Sequence, residues 1–284
     1  MQKTINFIRE SLQKQYPPEE INSFIRWILE DACHLSLQEQ ILYKDTQLSP
    51  AKKEHIQTIV LRLKKMEPLQ YILGKCEFLG LSFHVNSSVL IPRPETEELV
   101  DHIIQFETIP YPRILDIGTG SGCIAITLAK HLNTEVHAID ISEKALTTAK
   151  KNAEQNKVTV NFQKTNILSD NILKEYRDQS FDIIVSNPPY IKDSEKADML
   201  ENVLNFEPHQ ALFVPDNDPL LFYRRIADVG LKLLKEEGRL YFEINASCGT
   251  SMLDMLKEKG YKNTELIRDL NGKDRFIKAL RPIN

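Results

Sequence analysis

The tetrapeptide Asn187-Pro188-Pro189-Tyr190 is where residue types and order in this chain point to a reaction. Two consecutive prolines remove backbone donors and stiffen the chain, and an Asn before Pro is kept out of the helical region. Such a turn presents acceptors, the Asn187 side-chain carbonyl and the Pro188 backbone carbonyl. Two fixed acceptors suit a planar –NH2 with a delocalised lone pair, each taking one N–H while the nitrogen attacks a sulfonium methyl. Preorganised dipoles aimed at developing charge each contribute ~3 kcal/mol to a barrier, and alignment with the methyl adds to that. Tyr190 offers a flat face for a planar amide or base. Asn187, Pro188 and Tyr190 are therefore the candidate catalytic residues, and Pro189 completes the candidate substrate site. As a bare tetrapeptide the motif is more often a proline-stiffened surface turn. Its place at the end of the apolar run FDIIVS, downstream of a glycine loop, favours the chemical reading.

That loop is Leu115-Asp116-Ile117-Gly118-Thr119-Gly120-Ser121-Gly122. Glycines there let the backbone bend tightly and approach a ligand closely. Alone, the pattern fits a ligand loop or a plain tight turn equally. Asp140, some twenty residues on in AIDIS, ends the next apolar run, where a carboxylate can accept both hydroxyl hydrogens of a ribose. The competing reading is helix capping, since Asp140 and Glu143 have capping-box spacing. Asp116 could meet the amino group of a methionine moiety or be satisfied by nearby backbone. Arg93 and Glu95, in a Pro-bounded loop, could line a substrate channel or form a salt bridge.

The elements that must position these residues follow from periodicity. The first 70 or so residues read as helices only, with Ile21, Phe24, Ile25, Ile28 and Leu29 on one face and Ile56, Ile59, Val60 and Leu63 on another. Ser36 with Glu39, and Ser49-Pro50, mark helix starts. FLGLSFHV reads as a small hairpin joining two domains. From Pro94 a helix begins with Glu95, Glu97 and Glu98 in its first turn. After Pro112 strands alternate with helices. RILDIG, EVHAID, VTVNFQ, FDIIVSN and RLYFEI are the strands, with helices over 121–131, EKALTTAKKNAEQN and 219–235 among the helical stretches. TELIRDL and DRFIKAL, joined by Asn271-Gly272, close the chain as an antiparallel hairpin. The expected architecture is α/β, a Rossmann-like doubly wound parallel sheet with a closing antiparallel hairpin. That suits a class I methyltransferase better than a plain dinucleotide-binding domain.

Composition sets limits. The 284 residues are 42% hydrophobic and 27% charged, with a net charge of −4, the profile of an ordinary globular protein and not of a generic nucleic-acid binder, which would carry a basic surface. Residues 1–75 hold 11 Lys and Arg against 9 Asp and Glu, too small an excess to serve as a phosphate-binding segment. Lys52, Lys53, Lys64 and Lys65 read as a solvated face. Cys33, Cys76, Cys123 and Cys248 lie far apart, and the seven histidines form no spaced cluster. No metal site or disulfide framework is inferred. No stretch approaches the ~18 apolar residues of a membrane span, and the N-terminus lacks a signal-peptide pattern. A cytoplasmic location is expected, with no membrane and no direct nucleic-acid partner.

Taken together, PLQYILG, EFLG, LIPRPETEELV, LDIGTGSGCIA, AIDIS, IVSNPPYI, EPHQAL and RDLNGKDR resemble, in order and over essentially the whole chain, the HemK/PrmC family of release-factor glutamine N5-methyltransferases. N-P-P-Y alone is shared with adenine-N6 and other amino methyltransferases; IPRPETE with an N-terminal helical domain is much more specific. The resemblance implies an N-terminal helical bundle for substrate recognition over 1–75, a hairpin linker over 76–93 and a class I S-adenosylmethionine-dependent methyltransferase domain over 94–284. It implies S-adenosylmethionine as cofactor and, as substrate, the glutamine of the Gly-Gly-Gln loop of peptide chain release factors. Carried over, Gly118, Thr119, Gly120, Ser121, Gly122 and Asp140 bind the cofactor, while Asn187, Pro188, Pro189 and Tyr190 grip the glutamine, with Arg93 beside them. Asn166-Ile167 stands where the family has an acid and an aromatic near the adenine. Pro215-Asp216-Asn217-Asp218 replaces a glycine-rich turn, and Asn245-Ala246-Ser247 lacks a usual Gly. An adenine-N6 nucleic-acid methyltransferase and a non-catalytic S-adenosylmethionine-binding scaffold are the alternatives. The first must meet phosphates and extrude a base.

Overall fold

In the computed structural model, which describes residues 1–43 and 45–283, the chain forms two units. The first comprises Met1–Gly74 with Leu200–Phe206, and the second Lys75–Met199 with 207–283. Five helices make the body of the first unit: α1 (Gln2–Leu12), α2 (Pro18–Cys33), α3 (Leu37–Leu42), α4 (Pro50–Leu63) and α5 (Leu69–Leu73). Ile8 and Leu12 meet the apolar faces of α2 and α4 in one core. Ser36 and Ser49 cap their helices, Ser36 in a full capping box with Glu39. Tyr16 is buried with its hydroxyl donating to the Leu63 carbonyl at 2.8 Å, so the phenol is not left unpaired.

The second unit opens with the hairpin β1 (Lys75–Phe78) and β2 (Leu81–His84), followed by α6 (Pro94–Phe106). Strands and helices then alternate: β3 (Ile114–Ile117), α7 (Cys123–Leu132), β4 (Val136–Asp140), α8 (Glu143–Asn156), β5 (Asn161–Lys164), α9 (Ile172–Glu175) and β6 (Phe181–Ser186). A short pair, β7 (Ile191–Lys192) and β8 (Phe213–Val214), flanks α10 (Glu201–Phe206) in sequence. The chain ends with α11 (Leu221–Leu233), β9 (Leu234–Glu243), α12 (Gly249–Glu258), β10 (Lys262–Arg268) and β11 (Asp274–Leu280).

Seven strands form the central sheet in the order β10-β11-β9-β6-β3-β4-β5, parallel from β9 to β5 and antiparallel where β11 joins β9 and β10. Every residue of β3 and β6 is buried, as expected of central parallel strands covered on both faces. One face packs against α9, α11 and α12, the other against α6, α7 and the β1–β2 hairpin. The doubly wound sheet with a terminal antiparallel hairpin is thus the observed fold, and the Asn271-Gly272 turn closes it, with Gly272 at φ +76.

Several boundaries differ from the sequence expectation. The helix expected from Ser121 begins at Cys123, because Gly122 is its N-cap at φ +83. Strand β9 starts at Leu234, taking the last residues expected of α11. Between the pairs Phe181–Leu234 and Ile183–Arg239 the extra residues of β9 bulge, with Glu237 at φ +57. In VTVNFQ only Asn161 onward pairs. The two-residue strands β7 and β8 carry no periodic signal and were not expected. Among the described residues no helix is long and apolar enough to cross a membrane.

Candidate active site

The sheet order reverses at β3, and in such sheets the crevice at the carboxyl ends of the strands receives ligands. Register decides what meets there. Ile117 pairs with Ser186 and with Ile139, Ser186 pairs with Phe242, and Asp140 pairs with Lys164. One residue further along, Glu243, Asn187, Gly118, Asp140 and the Thr165-Asn166 segment therefore form a row across four crossings of the sheet. A cavity of about 240 Å³ lies above this row, walled by Gly118 and Gly120, Asp140 to Ser142, Thr165 to Leu168, and Ser186 to Pro189. Ser88 to Leu90, Pro208, Gln210, Ala211, Phe222 and Ile226 also line it.

The glycine loop leaves β3 with Gly118, Gly120 and Gly122 all at positive φ. Gly118 and Thr119 donate their N–H groups to the Ile139 carbonyl at 2.9 and 3.0 Å, tying the loop to β4. A Cβ at Gly118 or Gly120 would meet nothing within 4 Å, so open space lies against this backbone. Gly122 is different. It does not line the cavity, and a Cβ there would lie 2.8 Å from Ile126 Cδ1 and 3.1 Å from Ala149 Cβ. Gly122 is thus a packing glycine between α7 and α8. Thr119 and Ser121 also lie off the cavity wall. The Thr119 hydroxyl donates to Asp116 Oδ2 at 2.6 Å, and the Ser121 carbonyl accepts from Asn152. Of the five loop residues assigned to the cofactor by sequence, the geometry brings Gly118 and Gly120 to the cavity.

Asp140 takes the Gly120 N–H on Oδ2 at 2.9 Å and the Ser142 N–H on Oδ1 at 2.8 Å. The cap of α8 is Ser142, whose hydroxyl accepts from the Ala145 N–H. The capping reading of Asp140 therefore gives way to a carboxylate that braces the glycine loop and lines the cavity. With the Ile141 N–H also bonded to the carboxylate, acceptor capacity for a further donor remains. Burial pushes its carboxyl above the usual range, offset by the N–H bonds from Ser142, Gly120 and Ile141. Asp116, fully buried beneath the loop, is pushed up to about 7 by burial, and Asp140 nearby adds to the rise. Its position under the loop, bonded to Thr119, fits a role in holding the turn.

Asn187 sits where β6 ends, with Pro188 and Pro189 beside it on the cavity wall. Its Nδ2 donates to Thr96 Oγ1 at 3.1 Å, and Thr96 Oγ1 donates to Glu243 Oε2 at 2.6 Å. Tyr190 lies off the cavity wall. Its ring packs on the sheet core and its hydroxyl donates to Glu243 Oε1 at 3.2 Å. That bond gives the phenol a partner and the second oxygen of the buried carboxylate a donor; burial keeps the phenol protonated, its pKa strongly raised. The structure places Tyr190 behind the turn, off the cavity wall where the sequence predicts it. Arg93 likewise pairs with buried Glu207 at 2.5 Å instead of lining the cavity. Glu207 precedes Pro208, so the pair anchors the segment that forms the opposite wall.

Two family models match the chain: a methyltransferase small domain over residues 96–212 and a PrmC N-terminal domain over residues 3–74. The release factor glutamine methyltransferase of Bacteroides thetaiotaomicron is 47% identical over 99% of this chain and 100% of its own length. That of Flavobacterium psychrophilum is 48% identical over 95% of each chain. This chain belongs to the release factor glutamine methyltransferase family. Among solved structures, the 16S rRNA N2 G1207 methyltransferase of T. thermophilus superposes with a TM-score of 0.53 at 18% identity, covering 73% of this chain and 49% of that one. At that identity the likeness speaks for the fold, class I.

For a release factor glutamine methyltransferase, three segments depart from the sequence pattern, and each is structurally satisfied. Asn166, on the cavity wall, accepts the Leu168 N–H on Oδ1 at 3.0 Å. Asp218 N–H donates to the Pro215 carbonyl, and the Asp216 carboxylate accepts from Ser194 N–H, so the glycine-poor turn is held by one backbone bond and one carboxylate. Asn245 accepts from Ser247 N–H and starts a short 3-10 turn. Sequence reasoning passed over three residues of this site. Thr96 was hidden in a helix first turn. Arg225 reaches from α11 to the Ile167 and Ser169 carbonyls and holds the Asn166-Ile167 wall. Glu243 carried one usable signal, a charge at the end of the apolar run RLYFEI.

Proposed function

We propose that this chain transfers the methyl group of S-adenosylmethionine to the side-chain amide nitrogen of the glutamine in the Gly-Gly-Gln motif of peptide chain release factors. Support comes from full-length relatives of that name and from one geometric observation. Asn187, Pro188 and Pro189 share a cavity with Gly118, Gly120 and Asp140. The cavity suits the cofactor. Open space lies against the glycine backbone, Asp140 retains acceptor capacity for a ribose, and Ile141 and Ile167 give apolar surface for a base. Asn166 supplies a hydrogen-bonding group beside them. When bound, S-adenosylmethionine supplies an electrophilic methyl group on a sulfonium.

The protein's own part is to hold the nucleophile. An amide nitrogen is weakly nucleophilic because its lone pair is delocalised. Asn187 Oδ1 and the Pro188 carbonyl would each accept one N–H, keeping that nitrogen fixed and supporting positive charge as it bonds to the methyl carbon while the carbon–sulfur bond breaks and the thioether, S-adenosylhomocysteine, leaves. Its proton then leaves to water or a carbonyl, and no histidine or carboxylate base is required. We assign substrate recognition to the helical unit, residues 1–74, and place the enzyme in the cytoplasm, where release factors act, without a nucleic-acid or membrane partner. A methyl-transfer assay with labelled cofactor tests the reading by offering release factor, its Gly-Gly-Gln variant with Ala for Gln, and DNA side by side. Label on intact release factor alone is expected. Label on DNA alone would overturn the substrate.

A further inference from the structure

Behind Asn187 a chain of hydrogen bonds ends in a buried carboxylate, and its polarity is fixed from that end. Glu243 is 1% exposed. The β6–β9 register, with Ser186 opposite Phe242, brings Glu243 alongside Asn187, while Thr96 enters from the first turn of α6. An ionised carboxylate only accepts. Thr96 has one hydroxyl proton, and it goes to Glu243 Oε2. Thr96 Oγ1 can then only accept from its other neighbour, the Asn187 amide, which meets it with Nδ2. The two ends of an amide have nearly the same shape, so hydrogen-bond polarity alone distinguishes one orientation from the other. Turned round, Asn187 would present an –NH2 to a substrate –NH2, donor against donor.

Resting on the assignment of Asn187 as the clamp, we propose that Glu243 acts through Thr96 to hold the Asn187 amide with its oxygen available to the substrate nitrogen. Glu243 and Thr96 are positioning residues, and Tyr190 steadies the carboxylate from its other oxygen. The relay has a built-in dependence on proton uptake. A protonated Glu243 can donate to Thr96, which frees the Thr96 proton for Asn187 Oδ1 and turns the amide round. Facing Glu243 are Glu95 and Thr96 from α6, Tyr190 from the turn after β6, Tyr223 from α11 and Arg275 from β11. Burial outweighs the bonds from Thr96 and Tyr190 and the charge of Arg275, and pushes the Glu243 carboxyl up to about 7.

Thr96→Val keeps the shape and removes the hydroxyl, Thr96→Ser keeps the hydroxyl, and Glu243→Gln replaces an obligate acceptor with a group that can donate. Single-turnover methylation of release factor by the full-length protein, with S-adenosylhomocysteine affinity measured in parallel, separates positioning from folding. Thr96→Val and Glu243→Gln are expected to slow the chemical step on the order of 10-fold, with Thr96→Ser near wild type and cofactor affinity unchanged. The wild-type rate is expected to rise with pH through about 7, and this rise to be absent in Glu243→Gln. A Thr96→Val enzyme within about threefold of wild type, or a Thr96→Ser enzyme equally slow, overturns the relay and leaves the clamp standing. A fully active Asn187→Ala enzyme overturns both.

Discussion

Gly118 and Gly122 belong to one loop, yet the structure gives them opposite duties, and alanine at each position should separate those duties. Both have positive φ, +79 and +83, so an L side chain at either costs about 1–2 kcal/mol of backbone strain. At Gly118 that is the whole stability cost, because an added Cβ meets nothing within 4 Å. At Gly122 the Cβ would press on Ile126 Cδ1 at 2.8 Å and Ala149 Cβ at 3.1 Å. Ile126 and Ala149 are fully buried, and overpacking of such a site costs about 1–3 kcal/mol more. Gly122→Ala should therefore destabilise by about 3 kcal/mol, a fall in melting temperature on the order of 10 °C for a unit of this size. Gly118→Ala should fall by about a third of that. Cofactor affinity should show the reverse order, since the Gly118 methyl enters the cavity wall and the Gly122 methyl does not. Thermal unfolding and calorimetric titration with S-adenosylhomocysteine read the two quantities independently. A Gly122→Ala protein that melts like wild type but binds the cofactor poorly would refute this division and return Gly122 to the binding site.

Asp140→Ala should weaken S-adenosylhomocysteine binding about 100-fold, the value of two charge-assisted hydrogen bonds, and loosen the Gly120 loop it braces; titration calorimetry reads the first effect. Asn187→Ala should slow methyl transfer about 100-fold or more while cofactor binding stays within a few-fold, and an equally active variant would exclude the clamp. Because the Glu243 carboxyl is raised from 4.5 to about 7 in the folded protein, chiefly by burial, the folded state holds its proton more tightly than the unfolded one. Its contribution to stability is full below about pH 4.5 and is lost as pH rises to about 7, a decline of about 3 kcal/mol. Urea unfolding between pH 4.5 and 8 should show a shallower decline in Glu243→Gln; an unchanged slope would mean the carboxyl is not raised.

The parts of this molecule that could be read beforehand are those in which one residue type serves one local purpose. FDIIVS reads as a central strand because it is apolar or small apart from Asp182, and the structure buries all six of its residues, with Asp182 held by the Arg113 N–H and Lys235. The Asn271-Gly272 turn and the Ser36–Glu39 box are decided within four residues. Tyr190 and Arg93 show where local reading stops. Each is chemically apt for substrate contact, but each has a buried carboxylate brought to it by distant chain, Glu243 and Glu207, 53 and 114 residues away in sequence. Burying an acid without a partner is costly, so these carboxylates recruit the polar side chains within reach. Gly122 shows a related limit. A glycine required by ligand approach and one required by helix packing leave the same letter in the sequence, and only Ala149, on the next helix, tells them apart.

The same reasoning explains why the site's polar residues stand at the carboxyl ends of the strands. β3 and β6 are buried along their whole length and β9 over its last four residues because both faces of the sheet are covered, so that the acidic residues within β3 and β6, Asp116 and Asp182, are each tied to a protein partner. Polar chemistry can enter such strands where cover ends, at their carboxyl termini. Parallel pairing then does the assembly, since a register that aligns Ile117 with Ser186 and Ser186 with Phe242 must also align the residues that follow them. Gly118, Asn187 and Glu243 are thereby set side by side by backbone hydrogen bonds, with no loop required to find its own conformation. A shift of register by one residue in β9 would send Glu243 to the opposite face. Thr96 would then have no acceptor, and the Asn187 amide would lose the hydrogen bond that distinguishes its two ends.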